Sequence, residues 1–69
     1  MFAVCVSNRN YPASLELRKL YQVVPDPFAG NHKLIRVIDE SGEDYLYPSR
    51  YFINVSLPVT VQRTLRRMA

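Results

Sequence analysis

Tryptophan is absent from this chain of 69 residues, and cysteine and histidine occur once each, as Cys5 and His32. One cysteine excludes an intrachain disulfide, and one of each excludes a Cys/His zinc set. Small domains commonly depend on such staples, because a short chain buries a smaller share of its surface. The fold therefore rests on a tight apolar core, or on help from a partner or a second copy. Long hydrophobic runs are also missing. The run from Phe2 to Val6 falls far short of the roughly 20 residues that span a bilayer. It is short for a secretory segment and has no basic stretch before it. A lone reduced thiol suits a reducing compartment. The expectation is a soluble, cytoplasmic chain with no membrane partner and no cofactor.

What is present is the composition of a folded protein: 48% hydrophobic and 22% charged. The length allows one domain, 1–69, with a β-rich part over 2–57 and a helix over 58–69. Nine Lys/Arg against six Asp/Glu give a net charge of +3. The charge is polarised. Asp39, Glu40, Glu43 and Asp44 cluster at one turn, while Arg63, Arg66 and Arg67 end a stretch with no acid after Asp44.

Phe2–Ser7 reads as a first strand, with Phe2, Val4 and Val6 on one face and Cys5 on the other. Ser7–Pro12 is dense in turn formers and predicts a long loop. Leu15–Leu20 fits either a helix start or a loop, and leads into a strand over Tyr21–Val24. Pro25 and Pro27 end that strand, and 25–31 reads as a loop. Lys33–Asp39 and Asp44–Tyr47 form a hairpin across a turn at Glu40–Glu43, where Gly42 can take positive φ. Pro48–Tyr51 suggests one helical turn. Ile53, Val55 and Leu57 alternate with Asn54 and Ser56, as in a half-buried strand. From Pro58 the period lengthens, and Val61, Leu65 and Met68 fall on one helix face. Arginines in its later turns favour the helix dipole.

Five short strands, a long first loop and a one-turn element before the last strand resemble an SH3-like barrel. Leu17-Arg18-Lys19-Leu20-Tyr21-Gln22-Val23 looks like the diverging turn and second strand of that family. Gly42 to Phe52 resembles its distal hairpin and Pro-Ser-x-Tyr turn. The run Glu43-Asp44-Tyr45-Leu46-Tyr47-Pro48 is also similar to one shared by a group of small uncharacterised bacterial proteins. The resemblance implies a mainly β fold: a five-stranded SH3-like barrel with a short one-turn helix before the last strand and a C-terminal α-helix. In peptide-binding SH3 domains the proline and tyrosine of that turn line a groove for Pro-rich segments, and Pro48 and Tyr51 match those positions. The groove tryptophan has no counterpart, with Leu34 or Ile35 near its place. The long loop holds one acid, Glu16, where that family presents several. The likeness is one of fold, which does not carry function.

Cys5 and His32 supply a nucleophile and a base by type, but covalent catalysis also needs an orienting group and an anion-stabilising pocket. A thiol between Val4 and Val6 is usually buried and inert, so no enzyme is expected. The acidic cluster lacks the alternating spacing of a calcium loop, and no metal site is expected. The aromatics point to binding instead. Tyr11, Phe28, Pro48, Arg50 and Tyr51 form a candidate protein or peptide surface, because aromatic residues give large contact area at low entropy cost. The alternative is nucleic acid, with Arg63, Arg66 and Arg67 neutralising phosphates, joined by Arg9, Arg18 and Lys19. Oligomeric state is not legible.

Overall fold

Small side chains on one strand let large rings from its neighbours meet over it, and this sets the inside of the molecule. The computed structural model describes residues 1–68, apart from the side chain of Met68. Strand β1 (Phe2–Cys5) pairs antiparallel with β2 (Leu20–Gln22) on one side and with β5 (Phe52–Val55) on the other. The register sets Ala3 opposite Tyr21 and Cys5 opposite Phe52, so these four side chains share a face. All four are buried, and the rings of Tyr21 and Phe52 meet edge to face with centroids 6.2 Å apart. Leu15, Val37, Tyr47 and Tyr51 complete this core.

The other face carries Val4 between Leu20 and Ile53, and Phe2 beside Val55. Phe2 is nonetheless buried, whereas Ile53 is 58% exposed. The alternation of Ile53, Val55 and Leu57 predicts an inward face, yet the structure turns Ile53 out. Cys5 opposite Phe52 fixes the register, and the phenyl ring takes the inner position.

Strands β3 (Leu34–Ile38) and β4 (Asp44–Pro48) form the expected hairpin, from Leu34 opposite Pro48 to Ile38 opposite Asp44. Its turn closes through hydrogen bonds from Gly42 N to Asp39 O and from Asp39 N to Glu43 O, both 3.0 Å, with Gly42 at φ 85°. The two sheets are joined by one bridge, Val23 to Val37, with Val24 N donating to Arg36 O at 2.9 Å. Pro25 and Pro27 lack the N–H groups that would extend this ladder. Five strands appear in the expected order, but as two small antiparallel sheets rather than a closed barrel. Among the described residues β4 and β5 do not pair; the polypeptide turns between them through a 3₁₀ turn, Ser49–Tyr51, as expected.

Residues 25–31 are not the loop expected. Pro27–Asn31 forms a short helix, α1, with Asp26 at its N-cap accepting a bond from Ala29 N at 3.2 Å. Proline suits the first helical position, where no N–H is needed. Its buried Ala29 accompanies packing on β3, and Arg36 Nε of that strand reaches Asp26 at 2.8 Å. The second helix, α2 (Val59–Met68), follows Pro58 as expected. Gln62 ties its start by donating to Leu57 O at 2.8 Å. The helix makes little contact with the sheets: Val61 is 42% exposed, and Leu65 is half-buried. The expected packing of the Met68 side chain lies outside the described part.

Leu15–Leu20 resolves as a loop rather than a helix. Arg18 N donates to Cys5 O at 2.7 Å and Cys5 N donates to Lys19 O at 2.9 Å, so two residues face one across the strand pair. Arg18 takes φ 66°, a left-handed conformation that a side chain disfavours by roughly 1–2 kcal/mol. Its side chain is exposed and makes no ion pair among the described residues. Arg18→Gly is therefore expected to keep or raise the denaturant midpoint. Arg18→Val should lower the midpoint, because a β-branched side chain fits the left-handed region worse than arginine does, and equal midpoints for the two variants would contradict this reading of the bulge.

Candidate functional site

The 3₁₀ turn is where loop, hairpin and last strand converge. Pro48 sets φ at −57° before it, and Phe52 N closes it on Ser49 O. Tyr51 O accepts from Val6 N at 2.8 Å and Ser7 N at 3.3 Å, which fastens the long loop. Ser49 N donates to Lys33 O at 3.0 Å, which fastens the start of β3. Two separate stretches of chain thus hold one short piece of backbone, which also closes on itself.

The side chains above it arrange in layers. Tyr51 is 4% exposed and belongs to the core, so it is not the open shelf that its sequence position suggests. The ring sits inward because its carbonyl is tied to the first strand's exit. The Arg50 guanidinium lies over that ring, 5.3 Å from its centroid. Tyr11 is half-buried and meets Tyr47 edge-on at 4.8 Å and Tyr51 at 6.3 Å. Pro48 is half-buried and Arg50 exposed. Tyr11, Pro48, Arg50 and Tyr51 are thus brought together.

Phe28 lies on α1 instead. It is 58% exposed and stacks on His32 with centroids 4.1 Å apart, while His32 Nδ1 donates to Phe28 O at 2.7 Å. The link to the turn runs through Lys33, next in sequence and bonded to Ser49. Sequence reasoning passed over His32 and Lys33 as binding residues. Lys33 adopts φ 57°, and no pattern in the sequence marks it.

The remaining named residues separate. Arg63, Arg66 and Arg67 are exposed on α2, and none makes an ion pair among the described residues. Lys19, grouped with them by charge, is held by Glu40 at 2.7 Å. Cys5 is fully buried with its Sγ donating to Ser7 O at 3.2 Å, and burial raises the thiol pKa, opposing thiolate formation. His32 is exposed at the end of α1, engaged with Phe28.

Three of the four acids in the cluster, Asp39, Glu40 and Asp44, have side-chain partners within the fold. Tyr47 donates to Asp39 Oδ2 at 2.6 Å, and Ser41 donates to Asp39 Oδ1 from both N (2.9 Å) and Oγ (2.5 Å). Tyr21 donates to Glu40 and accepts from Glu16 N at 2.7 Å. Asp44 stands 3.8 Å from Arg36. Among the described residues, no group of three Cys, His, Asp or Glu side chains could hold a metal. No helix there is long and apolar enough to cross a membrane.

These bonds move the titrations in opposite directions. The Lys19 ammonium, then the Tyr21 hydroxyl, holds Glu40 below its ordinary value. Burial is the largest influence on Asp39 and opposes its ionisation, but the Ser41 and Tyr47 donors together bring it below the usual range. Burial first and Asp39 second push Tyr47 up to about 12, and burial with Glu40 pushes Tyr21 higher still. A lowered carboxylate contributes stability above its unfolded value and loses it as pH falls through the folded one. A raised tyrosine contributes below its unfolded value, about 10, and loses it as pH rises through the folded one.

Thermal melts by circular dichroism should therefore show a plateau from roughly pH 5 to 9, with acid and alkaline limbs outside it. Tyr47→Phe should lose about 1.5–3 kcal/mol at neutral pH, as expected for a hydrogen bond to a charged group, and should shorten the alkaline limb. An unchanged alkaline limb in that variant would contradict the assignment. A scan of protein-family models and searches of curated proteins and of solved structures return no match to this chain.

Proposed function

We propose that the chain is a non-enzymatic binding module with an SH3-like arrangement of strands, and that it binds a protein segment at the surface around its 3₁₀ turn. The strand order supports the SH3-like part: β1 lies between β2 and β5, β2 continues into a bridge with β3, and the 3₁₀ turn precedes the last strand. One observation carries the binding part. Backbone bonds from two other stretches fix Ser49–Tyr51, while Arg50, Pro48 and Tyr11 stay at the surface above buried Tyr47 and Tyr51. A platform fixed before binding loses little entropy when a ligand lands on it. Phe28, an exposed aromatic five residues before Lys33, is proposed to extend it, since aromatic side chains are enriched at interfaces.

The test uses random peptides displayed on phage and selected on the immobilised full chain. Backbone amide shifts on adding a selected peptide should cluster at Tyr11, Lys33, Arg50 and Tyr51. Phe28→Ala and Arg50→Ala, both at exposed positions, should each weaken binding about fivefold to thirtyfold, corresponding to 1–2 kcal/mol. Shifts centred elsewhere would remove this surface from consideration.

A second reading rests on α2. Its exposed Arg63, Arg66 and Arg67 suit phosphate contacts. Anisotropy of a labelled dT12 strand and a 12-base-pair duplex, at about 20 and 150 mM salt, should show salt-sensitive binding lost on changing the three arginines to alanine. Absence of binding at the lower salt would exclude it.

A further inference from the structure

We infer that the segment bound at the 3₁₀ turn is an acidic peptide, a conclusion that rests on the protein-binding reading above. Arg9, Lys33 and Arg50 are exposed, and none makes an ion pair among the described residues. The backbone places all three at this site. Arg50 lies within the turn. Lys33 O bonds to Ser49 N, and Arg9 sits in the loop between Ser7, whose N–H bonds to Tyr51 O, and Tyr11, whose ring meets that of Tyr51.

The acids of the hairpin turn are directed elsewhere. Asp39, Glu40, Glu43 and Asp44 sit at the turn end of the β3–β4 hairpin, whereas Lys33 and Arg50 flank its open end at Leu34 and Pro48. The separation along the hairpin is about 13 Å, four residue steps of strand. That exceeds a Debye length at physiological salt, about 8 Å, so the acids screen the basic end weakly. A basic ligand would meet three like charges there.

Two details sharpen the chemistry. Arg50 is held against an aromatic ring, which restricts its guanidinium while leaving a planar donor set suited to carboxylates. Lys33 occupies a left-handed backbone position that glycine or asparagine would fill with less strain. Peptide is favoured over nucleic acid because Tyr51 is buried and Tyr11 is packed on Tyr47, so neither offers a free face for base stacking. Pro48, half-buried just before the turn, adds apolar contact beside Arg50. The favoured ligand is thus an extended segment with carboxylates next to apolar residues.

The same phage selection tests this on the full chain and on Arg9→Glu/Lys33→Glu/Arg50→Glu, with Lys33→Gln/Arg50→Gln as a milder variant if the triple fails to fold. Peptides enriched on the wild type should be rich in Asp and Glu. Replacing those acids by Asn and Gln should weaken binding about tenfold or more near 20 mM salt, with a smaller effect near 150 mM. The charge-reversed or neutralised chain should lose the acidic preference. Peptides enriched without acidic bias, mapping to the same surface, would overturn this inference and leave the binding surface standing. Failure to enrich any peptide would overturn both. Displacement of the peptide by dT12 at matched charge concentration, with tighter binding of dT12, would assign the cations to nucleic acid and overturn the proposal.

Discussion

Of two neighbouring carboxylates, Glu40 ties the hairpin to a sheet that the backbone ladders join to it only weakly, and Asp39 braces the hairpin itself. The sheets share a single bridge, Val23 to Val37. At the hairpin turn, Asp39 accepts from Tyr47 of β4, while Glu40 accepts from Tyr21 of β2 and from Lys19. Glu40 N also donates to Ser14 O at 3.0 Å, drawing in the long loop. A buried tyrosine needs a partner for its hydroxyl, because an unpaired polar group in the interior costs about 1–3 kcal/mol. Placing two such rings in the core therefore requires acceptors at its edge. The acidic turn supplies them, and no buried side-chain polar atom is left unpaired among the described residues.

This arrangement carries through to the surface. Asp39 orients Tyr47, and Tyr47 presents its ring to the edge of Tyr11 at 4.8 Å. Tyr11 in turn reaches Tyr51, over which Arg50 lies. The residues that reach solvent around the 3₁₀ turn thus stand on rings fixed from below by a carboxylate on another element. Loosening the clasp would blur the surface before it unfolded the sheets, since the ladders of β1 do not pass through it.

Much of the architecture is legible in the residues themselves. The hairpin is marked by apolar runs flanking Gly42, and the one-turn element by Pro48-Ser49. The second helix is marked by the change of period after Pro58. Other features are hidden for physical reasons. Valines at 4 and 6 suggest an inward face, but the core wants small Ala3 and Cys5 beneath aromatic neighbours, so volume overrides hydrophobicity there. Asp26-Pro27 carried a legible helix start, a capping acid followed by proline at the first position; reading the prolines only as strand breakers conceals it. The bulge at Arg18 and the left-handed Lys33 have no local signature, since neither is glycine or asparagine. Of the site, Tyr11, Pro48, Arg50 and Tyr51 could be named because they lie near recognisable turns. Their layering depends on long-range backbone bonds that no short window of sequence contains.

The clasp also shapes the charge that other molecules meet. Of the six acids, Asp26, Asp39, Glu40 and Asp44 have side-chain partners within the fold, leaving Glu16 and Glu43 without them among the described residues. Of the nine bases, only Lys19 and Arg36 are so paired among the described residues. Folding engages acids more thoroughly than bases, because tyrosine and serine hydroxyls donate to carboxylates, which stay ionised. The net charge of +3 is unchanged by these bonds, but among the described residues the charged side chains left without a partner are mostly bases. What the core takes to satisfy its tyrosines, the exterior loses in free carboxylate acceptors, so the constraint that stabilises the interior also biases which charged side chains stay open to a partner.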